Sequence, residues 1–501
     1  MRRYRVIIIG AGIVGSSIAR VLSMYENLEV HVVEKEVDVG WGSSKANTSI
    51  IHPGHEEDPE KHPLRAKLCV QGNRLWRQWV KELDIPFKFP GELMVAFSDE
   101  ELKRAKKYIE LARKNKVPGV KLLTDRRELE LLEPNISQNA VGAVWAPTAG
   151  QINPIQAVIA LIENSVDNGV KLHVETKVEK VVVKNGVVKG VETNRGFMEA
   201  DIVINAAGLY ADEISKTAGV DGFSIRPRKG EYYIFDPLAE PKVTRIIHPV
   251  PTPITKGVYV ITTTEGNLMI GPTAVDLPEE AKEDKSVTFE GLDFVWKEAQ
   301  RLVKKLPPKT MVIRVFAGLR PEPPDGRYII KAYDNPWGFI NVAGIRSPGL
   351  TSAPAIAYYV RDLIEKELDI KLEKKKSWNP YRKAITRLRD LSWEEQKALA
   401  TKNPLYGWII CECMKVSAAE IIEAVKRMKK IGIKTISLDG IKFRSLAMMG
   451  RDQGGLCRVR IAVLLQKEFG IPLWDLMVKG LNTNYAIGDI KMLRRGQTAE
   501  R

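Results

Sequence analysis

Residues Val6-Ile-Ile-Ile-Gly10-Ala-Gly12-Ile-Val-Gly15 decide the fold. Four branched apolar residues make a buried strand, and the strand runs directly into a GxGxxG turn that opens a helix. In this motif Gly10 makes the tight turn, Gly12 lets the backbone approach a pyrophosphate, and Gly15 lets the helix sit close to the strand. The helix start adds unpaired N–H groups and a positive dipole end. The next strand, Val30-His31-Val32-Val33, closes on Glu34, an acid placed about 20 residues after the glycines, where it would accept ribose hydroxyls. A dinucleotide-binding α/β beginning is expected.

Working outward, 501 residues predict two or three domains. The Met-Arg-Arg-Tyr start has the charge of a signal segment, but glycine interrupts an apolar stretch too short for one. No run approaches the roughly 20 apolar residues of a membrane span, so a cytoplasmic protein is expected. The net charge of +15 raises nucleic acid, anionic membranes and anionic small ligands. No nucleic-acid motif accompanies it. Lysines alternate with glutamates along helical stretches such as 100–116, as on a solvated helix face, so the excess charge is assigned to the surface and to attraction of an anionic substrate. Of the four cysteines, Cys411, Cys413 and Cys457 crowd into the last fifth, which favours a metal site over a disulfide framework. Cys69, alone on a helical stretch, is expected in the core.

Strand-turn-helix patterns fill residues 1 to about 370. Val178 to Glu192 reads as a hairpin turning at Asn185-Gly186. A buried strand follows at 200–208 and ends in small residues, where a flat ligand can approach. Another strand, 338–344, leads through Ser347-Pro348-Gly349-Leu350-Thr351 into a helix over 353–363. From Asn379-Pro380 the chain reads as a connector. Beyond Leu405 the composition changes. Ser417 and Glu420 form a capping box for a helix to about Lys430, a second helix follows Gly450-Arg-Asp-Gln-Gly-Gly to about Phe469, and Arg494–Arg501 reads as a frayed tail.

Several stretches together resemble the D-amino-acid-oxidase-like flavoprotein superfamily. They are Ser44-Lys45-Ala46-Asn47 with Ile50-Ile51-His52, Asn205-Ala-Ala-Gly208-Leu-Tyr210-Ala-Asp212, Arg228-Lys-Gly-Glu-Tyr-Tyr233, Gly271-Pro-Thr273, Phe316-Ala-Gly-Leu-Arg320 and 347–356. Within it the chain is similar to anaerobic-type glycerol-3-phosphate dehydrogenase catalytic subunits; L-2-hydroxyglutarate oxidases share the layout. The resemblance implies an α/β fold over 1–375. A Rossmann-like FAD-binding domain (about 1–78, 151–220 and 326–375) would interleave with an α+β substrate domain on an antiparallel sheet (about 79–150 and 221–325). A linker (376–405), a small helical ferredoxin-like domain (406–470) and a tail (471–501) would complete the chain.

The same resemblance implies FAD. Its adenosine would lie on Gly10, Gly12, Gly15 and Glu34 with Val178 and Gly208 nearby, and its ring system against Ser44, Lys45, Asn47 and the Gly349-Leu350-Thr351 turn, where helix N–H groups would stabilise a reduced flavin. Oxidising a secondary alcohol needs a base and cations for an anionic substrate. His52 is the candidate base and Arg320 the candidate anion fork; Tyr232, Tyr259 and Lys256 are weaker substrate candidates. Two departures stand out. Where membrane-bound aerobic relatives carry an arginine-tyrosine pair, this chain has Pro53-Gly54-His55-Glu56-Glu57, so its phosphate grip must differ. Arg346 stands where close relatives carry an acid, to bind phosphate or to pair with a neighbour.

The C-terminal region resembles bacterioferritin-associated-ferredoxin-like domains, which bind a 2Fe–2S cluster on four cysteines. Cys411, Cys413 and Cys457 are in register, but Asp452 replaces the third cysteine. Three outcomes stay open: a cluster with Asp452 as fourth ligand, a labile or altered cluster, or a docking domain without metal. Function then reads as FAD-dependent oxidation of glycerol 3-phosphate, with electrons passed to redox partner subunits, no nucleic acid, and any membrane association running through partners. The alternatives are an L-2-hydroxyglutarate or secondary amino-acid oxidase, and an electron-relay or structural subunit.

Overall fold

The computed structural model describes residues 2–252 and 255–488. Two compact units emerge, Met1–Lys35 with Val39–Arg382, and Glu36–Asp38 with Lys383–Arg501.

The first unit is organised by two large sheets. A six-stranded sheet has the order Ile329–Ala332, Phe339–Ala343, Ile202–Asn205, Tyr4–Ile9, Leu28–Val33, Lys171–His173. All its pairs are parallel except the first, an antiparallel edge. Strands in such a sheet are covered on both faces and read as continuous apolar runs, which is why Val6 to Ile9 are all buried. The helices Ile13–Leu22, Pro154–Asp167 and Gly349–Lys366 pack together. A three-stranded antiparallel sheet, begun by the expected hairpin, packs Val181, Val188 and Val191 with Ile7, Val203 and Phe339. Asn185 and Gly186 both take positive φ (54° and 71°), the geometry of a two-residue hairpin turn whose twist matches its strands.

The second large sheet has nine strands, drawn from 92–146 and 226–322. It is antiparallel apart from one parallel pair, Glu92–Ala96 beside Ile246–Pro249. Helix Phe289–Leu302 closes one face through Val295, Ala299 and Leu302. A small sheet of Ile50–Ile51, Gly150–Ile152 and Phe87–Lys88 carries the residues before His52.

In the second unit, the short hairpin Ile409–Cys411/Val416–Ser417 precedes helices Ala418–Lys430, Leu438–Ser445 and Cys457–Phe469. The Ser417–Glu420 capping box forms as expected. Three expectations need correction here. The segment 376–405 is not a bare connector. Trp378 donates to Ser23 and Arg382 pairs with Glu163 in the first unit, and a second capping box, Ser392–Glu395, starts helix Trp393–Lys402. Helix Leu438–Ser445, with Ser437 as its cap, is a further element. The tail is ordered at its start: the Met477 and Val478 carbonyls accept from Leu438 and Asp439, and Leu476 is buried. Arg494–Arg501 lies outside the described residues. Among the described residues no helix is long and apolar enough to cross a membrane.

Candidate active site

The glycine turn has the geometry its sequence requires. Gly10 takes φ +100°, and a Cβ on Gly15 would overlap the Gly10 carbonyl oxygen. Helix Ile13–Leu22 starts at Gly12 without a side-chain cap of the usual kind. Ser44 Oγ instead accepts from Ile13 N–H across the loop at 2.9 Å. Glu34, at the end of its strand, accepts from Ala11 N–H at 2.8 Å. Val178 begins its strand buried, and Gly208 holds φ +60° after strand Ile202–Asn205. Ser44 thus touches the glycine turn through its hydroxyl, which accepts from Ile13 N–H and keeps its own proton to donate. Lys45 lies over the Trp41 ring at 4.7 Å. Asn47 ties its own loop, donating to Ser44 O and accepting from Ser49 N–H, both at 2.8 Å.

A second helix start, Gly349-Leu350-Thr351, also lacks a side-chain cap. Its first turn is held from behind: Trp76 Nε1 donates to the Leu350 carbonyl at 2.9 Å, and Thr351 Oγ1 accepts from His52 N–H at 2.8 Å. Two uncapped helix starts, one beside a carboxylate at a glycine turn, suit a dinucleotide whose pyrophosphate and ring system each meet N–H groups.

Beyond that second helix start lies a buried polar cluster. His52 Nδ1 is 3.9 Å from Glu56 Oε2, and Lys256 Nζ is 2.7 Å from Glu56 Oε2 and 3.2 Å from Glu57 Oε1. Glu57 has a second cation, Arg65, at 2.6 Å. Deeper in, His55 Nδ1 faces Glu92 at 3.4 Å, and Tyr259 stacks on His248 with centroids 4.6 Å apart. Buried polar atoms without a hydrogen-bond partner include His52 Nδ1, both His55 nitrogens, Glu56 Oε1, both Glu92 oxygens, His248 Nε2 and the Tyr259 hydroxyl. Buried polar groups in folded proteins are almost always satisfied, so so many orphans in one place mark a site built for water and ligand.

Electrostatics sort the cluster. Burial, reinforced by Lys256, pushes His52 down to about 3, and burial pushes His55 down to about 4. Burial also raises Glu92 well above the carboxylate range, aided by Glu56, so His55 and Glu92 form a neutral pair despite their salt-bridge distance. For Glu56 burial opposes ionisation, but Lys256 overcomes it and the carboxylate stays charged. Lys256 is itself raised, because Glu56 and Glu57 outweigh its desolvation. One buried ion pair thus stands beside a neutral imidazole.

The arginines take other roles. Arg320, on strand Val312–Glu322, donates from Nε to Arg228 O (3.4 Å) and from Nη2 to Lys229 O (3.2 Å) and Thr273 O (2.7 Å). Much of the fork expected to grip an anion therefore braces backbone carbonyls of the big sheet. Arg346 pairs with Glu322 at 2.8 Å through Nη1, and its Nε is buried without a hydrogen-bond partner. Tyr232 stacks on Phe316 with centroids 4.6 Å apart, and burial raises its phenol to about 12. The structure thus brings His52 edge-on to Tyr259 and shares Glu56 between His52 and Lys256, while Tyr232 packs in the same core cluster as Tyr259. Sequence reasoning missed Glu56, Glu92 and His248 as site residues. A charge inside the apolar strand Glu92–Ala96 was the one local sign.

In the second unit Cys457 hydrogen-bonds Cys411, holding its thiol down to about 6, and Cys413 hydrogen-bonds Asp452. Among the described residues no group of three or more His, Cys, Asp or Glu is arranged around a single ion position. Cys69 is buried in helix Pro63–Glu82, as expected.

A family model described as FAD dependent oxidoreductase, DAO, matches residues 5–363. Glycerol 3-phosphate dehydrogenase of Caloramator mitchellensis is 42% identical over 473 residues, covering 94% of this chain and 96% of the relative. Glycerol 3-phosphate oxidase of Mycoplasma genitalium is 33% identical over 387 residues, covering 76% of this chain and 98% of the relative. Among solved structures, dithionite-reduced L-alpha-glycerophosphate oxidase from Mycoplasma pneumoniae with FAD bound matches with a TM-score of 0.70 at 30% identity, covering 76% of this chain and 99% of that one.

Proposed function

The chain belongs to the DAO family of FAD-dependent oxidoreductases, and we propose that it oxidises sn-glycerol 3-phosphate to dihydroxyacetone phosphate. The observation that carries this reading is the 42% identity to a glycerol 3-phosphate dehydrogenase across nearly the whole of both chains. The partly exposed Lys256 ammonium beside a neutral histidine supports it independently.

FAD, when bound, supplies the acceptor for the hydride leaving C2, two electrons in all. Gly10, Gly12, Gly15, Ser44 and Glu34 would hold its phosphate and ribose end, and Gly349 to Thr351 would face its ring system. His52 is neutral near pH 7 and takes the hydroxyl proton on Nε2, the ring nitrogen not turned toward Glu56. Loss of that proton and that hydride converts the C2 alcohol to a ketone. Lys256, partly exposed, meets the phosphate as a point charge, and Arg320 contributes positive potential from the neighbouring strand. Burial of the cluster excludes water and strengthens each of these interactions.

In the second unit Cys411, Cys413, Cys457 and Asp452 would hold a 2Fe–2S cluster, which when bound supplies one-electron exchange with redox partner subunits. A carboxylate is a harder ligand than thiolate, so this cluster would be more labile than a four-cysteine one. The expected setting is the cytoplasm.

Anaerobic addition of sn-glycerol 3-phosphate, and separately of L-2-hydroxyglutarate, to the FAD-loaded protein tests the reading by loss of visible flavin absorbance. Rapid bleaching by glycerol 3-phosphate alone is expected. Bleaching only by the hydroxy acid, or by neither, overturns it.

A further inference from the structure

We propose that Glu56 is the positioning residue that turns His52 into a base, and that Lys256 withholds it until an anionic substrate arrives. The inference rests on the phosphate-bearing alcohol read above as substrate. A neutral imidazole buried in this cluster accepts a proton poorly unless a carboxylate stands ready to stabilise the imidazolium. Glu56 is the acid placed to do so: its Oε2 lies 3.9 Å from His52 Nδ1, just beyond hydrogen-bond distance, and its Oε1 is buried without a partner. The same Oε2 is held by Lys256 at 2.7 Å.

Glu57 makes the lysine movable. With Arg65 at 2.6 Å, Glu57 stays neutralised when Lys256 leaves, whereas Glu56 does not. A phosphate dianion that takes Lys256 therefore frees one carboxylate charge, felt by His248, His55 and His52, and of these His52 faces it with Nδ1 at 3.9 Å. His52 also faces Tyr259 edge-on at 6.4 Å, with His248 stacked behind that ring. His55 and Glu92 lie beyond as a neutral pair and lend no opposing charge. When the hydroxyl proton reaches His52 Nε2, the Nδ1 proton hydrogen-bonds Glu56. Atoms and charge balance within the triad: the proton stays on the imidazole, and the carboxylate compensates it. The arrangement links base strength to the substrate's own charge, and so discriminates against neutral polyols.

The test follows flavin bleaching by saturating glycerol 3-phosphate between about pH 5 and about pH 8 in the FAD-loaded wild type, Glu56→Gln and Glu56→Asp. Glu56→Gln should slow bleaching about 100-fold, with substrate Kd within about threefold of wild type and the histidine-range pH dependence lost; Glu56→Asp should regain about tenfold. A Glu56→Gln rate within about threefold of wild type with its pH profile intact, or a loss carried wholly by Kd, overturns the inference. A second readout is independent of turnover. In histidine-labelled protein, inorganic phosphate should raise one histidine's NMR titration midpoint by about one unit or more, while Lys256→Met should raise it without phosphate. Midpoints unmoved by both overturn it even where Glu56→Gln does not fold. Failure of wild type to bleach would sink the functional reading and this inference together, whereas bleaching with an unimpaired Glu56→Gln sinks this inference alone.

Discussion

Gly72 and Thr351 are in direct contact: helix Pro63–Glu82 meets the first turn of helix Gly349–Lys366 so closely that a Cβ on Gly72 would overlap the Thr351 carbonyl oxygen. The helix start meant to face the cofactor ring is thus braced by close backbone contact at Gly72 as well as by the Trp76 side chain. Leucine and tryptophan contacts on the same face leave it little room to shift, since Trp76 bonds the adjoining Leu350 carbonyl.

Gly72→Ala should therefore cost about 1–3 kcal/mol, because a helix start must move to admit one methyl group. Thermal unfolding checks the stability. Equilibrium dialysis of FAD checks the second consequence, weaker cofactor retention from a displaced first turn. Wild-type behaviour in both would show that the two helices slide freely.

Arg320→Lys should lower both melting temperature and substrate affinity. One ammonium cannot reach the Arg228, Lys229 and Thr273 carbonyls that the guanidinium bonds together. The expected result is a KM raised about tenfold or more with a smaller change in kcat. A KM effect without loss of stability would assign the fork to substrate alone.

Glu92→Gln should stabilise the protein, increasingly so as pH rises. Glu92 keeps its proton when folded, whereas in the unfolded chain it ionises near about pH 4.3. Above that pH the folded state binds more protons, so wild-type stability falls as pH increases toward the raised pKa. His52 and His55 act in the opposite direction. Their folded values of about 3 and about 4 lie below the unfolded value near about 6.5, so stability is lost as pH drops through that window. Melting curves of Glu92→Gln should lose the alkaline slope and keep the acid one.

If the second unit holds the proposed cluster, Asp452→Cys should convert its mixed ligand set into a four-thiolate one. After anaerobic reconstitution the variant should retain about two irons per chain, resist chelators longer than wild type, and give a stronger paramagnetic resonance signal on reduction. No iron in either protein would remove the relay role from the second unit.

The parts legible in the chain are those governed by neighbours in sequence. The glycine turn and its strand, the Asn185-Gly186 hairpin, and the Ser417 capping box each depend on a handful of consecutive residues, and each stands where expected. The connector was misjudged because its polar composition hid a second capping box at Ser392–Glu395. The bond from Ile13 N–H to the Ser44 hydroxyl, 31 positions apart, was hidden for a different reason: no local pattern records it.

The chain by itself determined a nucleotide-binding α/β beginning, and its resemblance to the flavoprotein superfamily implied the interleaved sheet and a place for His52 beside the cofactor loop. Only the tertiary structure decided what that histidine can do. Lys256 lies 200 positions from Glu56, and Glu92 faces His55 only because its strand pairs in parallel with Ile246–Pro249. Charge and desolvation act through space at a few ångströms, so the base strength of one imidazole depends on groups that sequence distance cannot bring together.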